Sequence, residues 1–256
     1  MAVNIFPSLG SNPTVHVIAT QPKSDRIYVG GSFEAAGSFS CPALCIYEVK
    51  NLQWTRPAGT IGGTINAMQW VGVNELLAVG DMVVNDTTTY VARYDAKNLV
   101  WLPVGDAKDK IPGPVTAMAL DSDTGETFFV TGNSTKGAPF LMKWNGVEWK
   151  DITPAFGSGS TIRGIQVLTL NDKHDKNDFV QEYHILLVTG SVALESGKYS
   201  GVLFNGLSWA PFLITSKSNN KHSSLAALFS QRQQSFTQAG KLSHPHVQLM
   251  NLLYEC

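Results

Sequence analysis

The sequence carries no excess of either charge. Its 19 Lys and Arg against 20 Asp and Glu leave a formal net charge of -1, so no long-range field draws it to nucleic acid or an acidic surface. Charged residues make up only 15% of the chain, too few to clothe a set of long solvated helices. Residues 1–21 lack a basic segment followed by an apolar core, so a secretory leader is not expected in them. No run approaches the roughly 18 uninterrupted apolar residues of a membrane-spanning helix. Three cysteines are too few for a disulfide-built scaffold. The H-E-x-x-H, Walker-type, paired C-x-x-C and G-x-S-x-G templates are all missing, so no catalytic residue, metal ligand or cofactor is assigned.

What the chain does contain is 43% hydrophobic residues, 23 Gly, 12 Pro, 12 Phe and 6 Trp in 256 residues. That composition suits many short strands joined by turns, and the length fits one large all-β domain. A repeat of roughly 40–50 residues, the interval of propeller blades, organises it. Four apolar segments each run into a glycine: Ile27-Tyr28-Val29-Gly30-Gly31, Leu77-Ala78-Val79-Gly80, Phe129-Val130-Thr131-Gly132 and Leu187-Val188-Thr189-Gly190. Each is followed by a second strand, a turn and a strand with tryptophan at Trp54, Trp101, Trp149 or Trp209. Each is preceded by a further short strand, beginning near Val15, Ile65, Val115 and Ile165. Asn145-Gly146 and Asn205-Gly206 in two of the turns favour a type I′ hairpin with positive φ at both positions.

Four strands per repeat predict a kelch-like β-propeller, with blades at about residues 13–57, 64–104, 114–153 and 161–213 and the start of a fifth at 222–229. Residues 1–230 form this repeat region, and 231–256, without alternation or landmarks, are expected to be irregular. Four blades favour a piece of a larger array over a closed ring.

The segment Val29-Gly30-Gly31-Ser32-Phe33, followed by Ala36-Gly37-Ser38 and then Cys41-Pro42-Ala43-Leu44-Cys45-Ile46-Tyr47 with Trp54, resembles fungal cortical marker proteins for cell polarity. The likeness runs on through Tyr94-Asp95 and Trp101 to Phe204-Asn205-Gly206-Leu207-Ser208-Trp209, covering about residues 13–230. That family comprises large kelch-like membrane glycoproteins of bud-site selection and polarised tip growth. The resemblance implies an extracellular placement at the plasma membrane of a bud or growing tip. It also implies a membrane-protein partner in the same polarity system. Membrane attachment requires a spanning helix that this chain does not show.

Other signals have bland readings. His16, His174, His184, His222, His244 and His246 are scattered, with no copper-site convergence visible. Asp121, Asp123 and Gly125 resemble the opening of a calcium loop without its later ligands, and a turn explains them. Gly157-Ser158-Gly159 reads as a connector. Cys41 and Cys45 would stand about 13 Å apart in an extended strand, so a bridge between them requires a turn at Pro42. Free thiols, or bonds to cysteines elsewhere, are the alternatives. The sequons at Asn85 and Asn133 fall at matching places in the second and third repeats and are candidate N-glycosylation sites on an exposed face. A non-catalytic polarity-marker ectodomain is the leading expectation. The alternatives are a carbohydrate-active or copper-oxidase-like propeller enzyme, or an incomplete gene product.

Overall fold

The computed structural model describes residues 13–212, apart from 106, 123 and 155, and the backbone of two further strands. The first sheet contains β1 (Thr14–Thr20) and β2 (Arg26–Ser32). A small pair, β3 (Ala35–Ala36) and β4 (Phe39–Ser40), comes before its last strands β5 (Leu44–Glu48) and β6 (Gln53–Thr55). The second holds β7 (Ile61–Val71), β8 (Glu75–Val84), β9 (Thr87–Asp95) and β10 (Val100–Pro103). One helical turn, α1 (Ala107–Lys110), lies in the linker that follows. The third sheet is β11 (Val115–Leu120), β12 (Phe128–Asn133), β13 (Pro139–Trp144) and β14 (Trp149–Asp151). The fourth is β15 (Thr161–Thr169), β16 (His184–Leu194), β17 (Gly197–Phe204) and β18 (Trp209–Pro211).

Each of these four sheets is a four-stranded antiparallel meander in chain order, which makes the molecule an all-β run of propeller blades. The four sheets span residues 14–55, 61–103, 115–151 and 161–211; the second begins at Ile61 because β7 pairs with β8 as far as Val84, beside the tight turn to β9. Beyond them β19 (Leu225–Ser230) pairs with β20 (Ser235–Gly240). That pairing corrects the expectation of an irregular chain from 231. Ladder hydrogen bonds hold a strand there although Ser235-Phe236-Thr237-Gln238 shows only weak alternation. His222, His244, His246, Asp123 and residues 241–256 lie outside the described residues.

A shared device explains the landmark glycines. The pairing of first and second strands slips by one residue in every sheet, between Val15 and Val17, Ile65 and Ala67, Val115 and Ala117, and Ile162 and Gly164. Opposite each slip the backbones come so close that a Cβ on Gly31, Gly80, Gly132 or Gly190 would strike the carbonyl oxygen of Thr14, Thr64, Pro114 or Thr161. Gly30 differs: it makes room for Met68 of the next sheet. Side chains at two of the slips bond to the following blade, His16 Nδ1 lying 3.2 Å from the Ile65 carbonyl and Asn66 Nδ2 donating to Val115 O at 2.7 Å.

The core is the space between sheets. Tyr28, Leu44 and Ile46 of the first sheet pack on Ile65, Leu76, Tyr94 and Trp101 of the second. Leu77, Val79 and Val91 pack on Phe128, Val130, Trp144 and Trp149, with Val104, Ala107 and Ile111 of the linker completing that layer. Phe129 and Leu141 pack on Leu186, Val188, Val202 and Phe204. Successive first strands β1, β7, β11 and β15 touch in series, and no comparable packing joins the first sheet to the fourth among the described residues.

Trp101, Trp149 and Trp209 belong to these layers, and Trp54 packs on the outer side of the first sheet. Each lies against the aromatic residue across the last hairpin of its sheet: Trp54 on Tyr47, Trp101 on Tyr94, Trp149 on Trp144 and Trp209 on Phe204, at 4.6 to 5.2 Å between centroids. Burial pushes the Tyr28 hydroxyl, set edge-on to Trp70 in the first layer, up to about 12.

The Asn-Gly turns differ from expectation. Only Gly146 and Gly206 take positive φ, 96° and 97°. The asparagines instead close four-residue loops, Asn145 Oδ1 accepting from the N–H groups of Val147 and Glu148, and Asn205 Oδ1 from Leu207 and Ser208. Two consecutive positive φ values occur at Asn85 and Asp86, 47° and 64°, in the tight turn between β8 and β9.

Candidate functional site

Antiparallel meanders divide the turns between two ends. Turns within the first and last strand pairs lie at one end; turns between second and third strands share the other with the blade-to-blade linkers. Hydrogen bonds lace each linker to the turn of the blade it enters. Asn85 N donates to Thr60 O at 3.0 Å, Thr135 N to Pro112 O at 3.2 Å and Gly157 N to Ala193 O at 2.8 Å. Ala193 N in turn donates to Ser160 Oγ at 3.0 Å. Gly157-Ser158-Gly159 is thus part of a linker.

Both sequons stand at this linker end, in different surroundings. Asn85 is held in place: its Oδ1 accepts from Thr60 N at 3.3 Å and its Nδ2 donates to Trp101 O at 3.4 Å. Asn133, the last residue of β12, is exposed and its side chain makes no hydrogen bond to the described residues. Thr135 is exposed beside it, and Ser134 and Ala138 close the turn.

The longest of the turns between second and third strands is that between β2 and β5. Ala43, at φ 59°, reverses the chain after Pro42, and Ala43 N donates to Phe33 O at 2.8 Å. The reversal brings Cys41 and Cys45 to a Cα separation of 5.3 Å, and they are disulfide-bonded. Both are buried with Val29, Phe33 and Ala36 against the outer side of the first sheet. Closing so short a loop stabilises by about 2 kcal/mol through the entropy of the unfolded chain. Replacing both cysteines by serine is therefore expected to lower the unfolding free energy by at least that amount in denaturant titration, and an unchanged midpoint would contradict it.

One polar cluster went unrecognised in the sequence. Asp121, fully buried at the end of β11, accepts from Lys143 Nζ of β13 and His184 Nδ1 of β16, each at 3.0 Å. Lys143 Nζ also donates to Phe179 O at 2.6 Å and lies 5.4 Å from the Phe129 ring centroid. The cluster joins the third and fourth blades. Arg93 of β9, at the repeat position of Lys143, does the same one blade earlier, pairing with Glu75 at 2.6 Å and donating to Gly125 O at 2.6 Å. The available signal was a cation inside an otherwise apolar strand, Phe140-Leu141-Met142-Lys143-Trp144. Asp121 and Gly125, read as part of a turn, are in one: Gly125 O accepts from Arg93 of the blade before, and Asp121 accepts from Lys143 of its own blade and His184 of the blade after. His174 is drawn into that corner, its Nε2 2.8 Å from the His184 carbonyl. Among the described residues no three His, Cys, Asp or Glu side chains group as a metal site, and no helix is long and apolar enough to cross a membrane.

Residues 2–241 match the family described as the Rax2 C-terminal beta propeller domain. Polarized growth protein L1 of a Phoma species is 31% identical over 214 residues, which cover 82% of this chain and 16% of that protein. Polarized growth protein RAX2 of Candida albicans is 26% identical over 226 residues, 84% of this chain and 16% of that one. The chain thus spans about a sixth of the length of these relatives. With four meanders stacked in series and a match over nearly their whole extent, the chain belongs to the Rax2 C-terminal β-propeller family.

Proposed function

We propose that this chain is a non-catalytic recognition scaffold in polarised growth or bud-site selection, working through protein contacts at the end that carries the linkers and the turns between second and third strands. The observation that carries this reading is the family match, whose relatives are named as polarised growth proteins. The aromatic residues support it: Tyr47, Tyr94, Trp144 and Phe204 all stack on their tryptophans, whereas a catalytic set would depart from the repeat. The linker end suits recognition, because its turns differ in length and sequence from blade to blade while the sheets beneath hold them rigidly. A glycan at Asn133, and less readily at the anchored Asn85, would leave the first and fourth blades as the accessible part of that end.

The partner in this reading is a membrane protein of the same polarity system, and the site of action is the cell surface at a bud or growing tip. The test uses the full-length protein, tagged, in a fungus that carries it. Replacing the exposed Glu34 and Ser38 of the first blade by lysine and the Leu194–Gly197 turn of the fourth by a neutral hairpin should abolish in-cell cross-linking to cortical membrane proteins and disturb the pattern of growth sites, with protein level unchanged. Normal growth sites and unchanged cross-links in that variant would overturn the proposal.

A further inference from the structure

The layer between two blades rests on a row of residues that crosses three strands. Leu76, Tyr94 and Trp101 stand side by side in the second sheet, Phe128, Trp144 and Trp149 in the third, and Leu186, Phe204 and Trp209 in the fourth. Each row faces the blade before it, and apart from Trp209 every member is buried. The first sheet repeats the row with Ile27, Tyr47 and Trp54 in the same register. All three are only half-buried, for no described blade lies against them. The β3–β4 pair and the disulfide cover Val29 and Cys45 on that face and leave the row partly open. The first sheet thus presents one half of an inter-blade layer.

The other end of the array carries the beginning of a counterpart. β19 lies against β15 and β16 of the fourth sheet, and β20 pairs with it, Leu225 opposite Gly240 as Ile162 is opposite Gly190. These two stand where a first and a second strand would, and β20 has no second neighbour among the described residues. The sequence beyond them keeps the repeat. Tyr254 follows Gly240 at the interval by which Tyr94 follows Gly80 and Phe204 follows Gly190. Leu252-Leu253-Tyr254-Glu255 matches the third-strand segment Cys45-Ile46-Tyr47-Glu48 in pattern. The opening residues have the pattern of a fourth strand and its linker. Phe6, Pro7 and Gly10 precede β1 as Trp54, Pro57 and Gly59 precede β7, and as Trp101, Pro103 and Gly105 precede β11. Phe6 holds the place of the tryptophan.

We propose that residues 225–255, with residues 3–7 as their outer strand, make a fifth blade that covers Ile27, Tyr47 and Trp54 and closes the array into a ring. Tyr254 then pairs with Phe6 as Tyr47 does with Trp54, so the last sheet takes its fourth strand from the opposite end of the chain. A blade cannot bury its own apolar faces, and closure gives the open face of the first sheet and the open face of the fifth to each other. It also pairs the free edge of β20, which would otherwise template a foreign strand. Five blades fall in the range of roughly four to eight that propellers use.

In this register Asn4 falls opposite the native Cys256, two positions along from the Phe6 and Tyr254 pair. The full chain carrying N4C is oxidised mildly, digested and read by mass spectrometry. Most monomers should carry a bridge from position 4 to Cys256. Oxidised N4C should unfold at a higher urea concentration than reduced N4C, because a link closing so long a loop restrains the unfolded chain. S11C, which the same register puts at the linker end and out of disulfide reach, should form about tenfold less of its bridge. Four results would overturn the proposal: no bridge in N4C, as much bridge in S11C, a bridge that leaves the urea midpoint level or lower, or bridges between molecules, which would assign the open row to a second copy of the chain.

Discussion

Replacing Lys143 by methionine is expected to lower the unfolding free energy by about 3–5 kcal/mol, the cost of leaving a buried charge without its partner. Asp121 is completely shielded from water and divides its two oxygens between Lys143 and His184. Methionine fills much the same volume, so lost packing contributes little. What changes is that the carboxylate keeps one partner and the Phe179 carbonyl loses its donor. Adding D121N should recover part of the loss, because the neutral amide no longer needs a countercharge. Denaturant titrations of the two single variants and the double one give the coupling directly, and a K143M loss under about 1 kcal/mol would show that the cluster is effectively solvated.

Removing the side chain of Trp101 is expected to cost about as much, roughly 3–5 kcal/mol for W101A, by emptying a fully buried site in the layer between the first two blades. The phenylalanine variants separate packing from hydrogen bonding. Trp149 Nε1 donates to Val104 O at 3.2 Å, tying its sheet to the linker, whereas Trp101 Nε1 has no partner among the described residues. W149F gives up a buried bond and W101F only an unpaired donor, so W149F should be the costlier by about 1 kcal/mol. Equilibrium unfolding measures both. Equal losses would mean that the Trp149 bond adds nothing net.

The repeat was readable because the features that define a blade are local and recur. A glycine is needed wherever the backbone slip brings a carbonyl against the second strand, and a tryptophan wherever the last strand covers the aromatic residue before it. Those demands return once per blade, and four copies of a weak signal make a strong one. Features that join one blade to the next were harder to see. Asp121, Lys143 and His184 lie in three different strands, and nothing in their spacing brings them together. The disulfide depended on whether the chain turned at Pro42 and Ala43, a conformation that proline permits but does not require. The Asn-Gly dipeptides mark the turns but not their type, because a four-residue loop lets the asparagine side chain cap the turn instead of occupying a left-handed position. The linker end followed from strand alternation alone.

The most direct test of serial stacking is a nuclear Overhauser spectrum of the isotope-labelled chain. Rings of Tyr28 and Trp70, 4.9 Å apart across the first two blades, and of Phe128, which carries Arg93 over its face at 5.9 Å across the next two, should give strong cross-peaks. Their absence, with Tyr28 or Phe128 instead contacting strands of a blade that does not adjoin its own, would contradict the arrangement on which the functional reading rests.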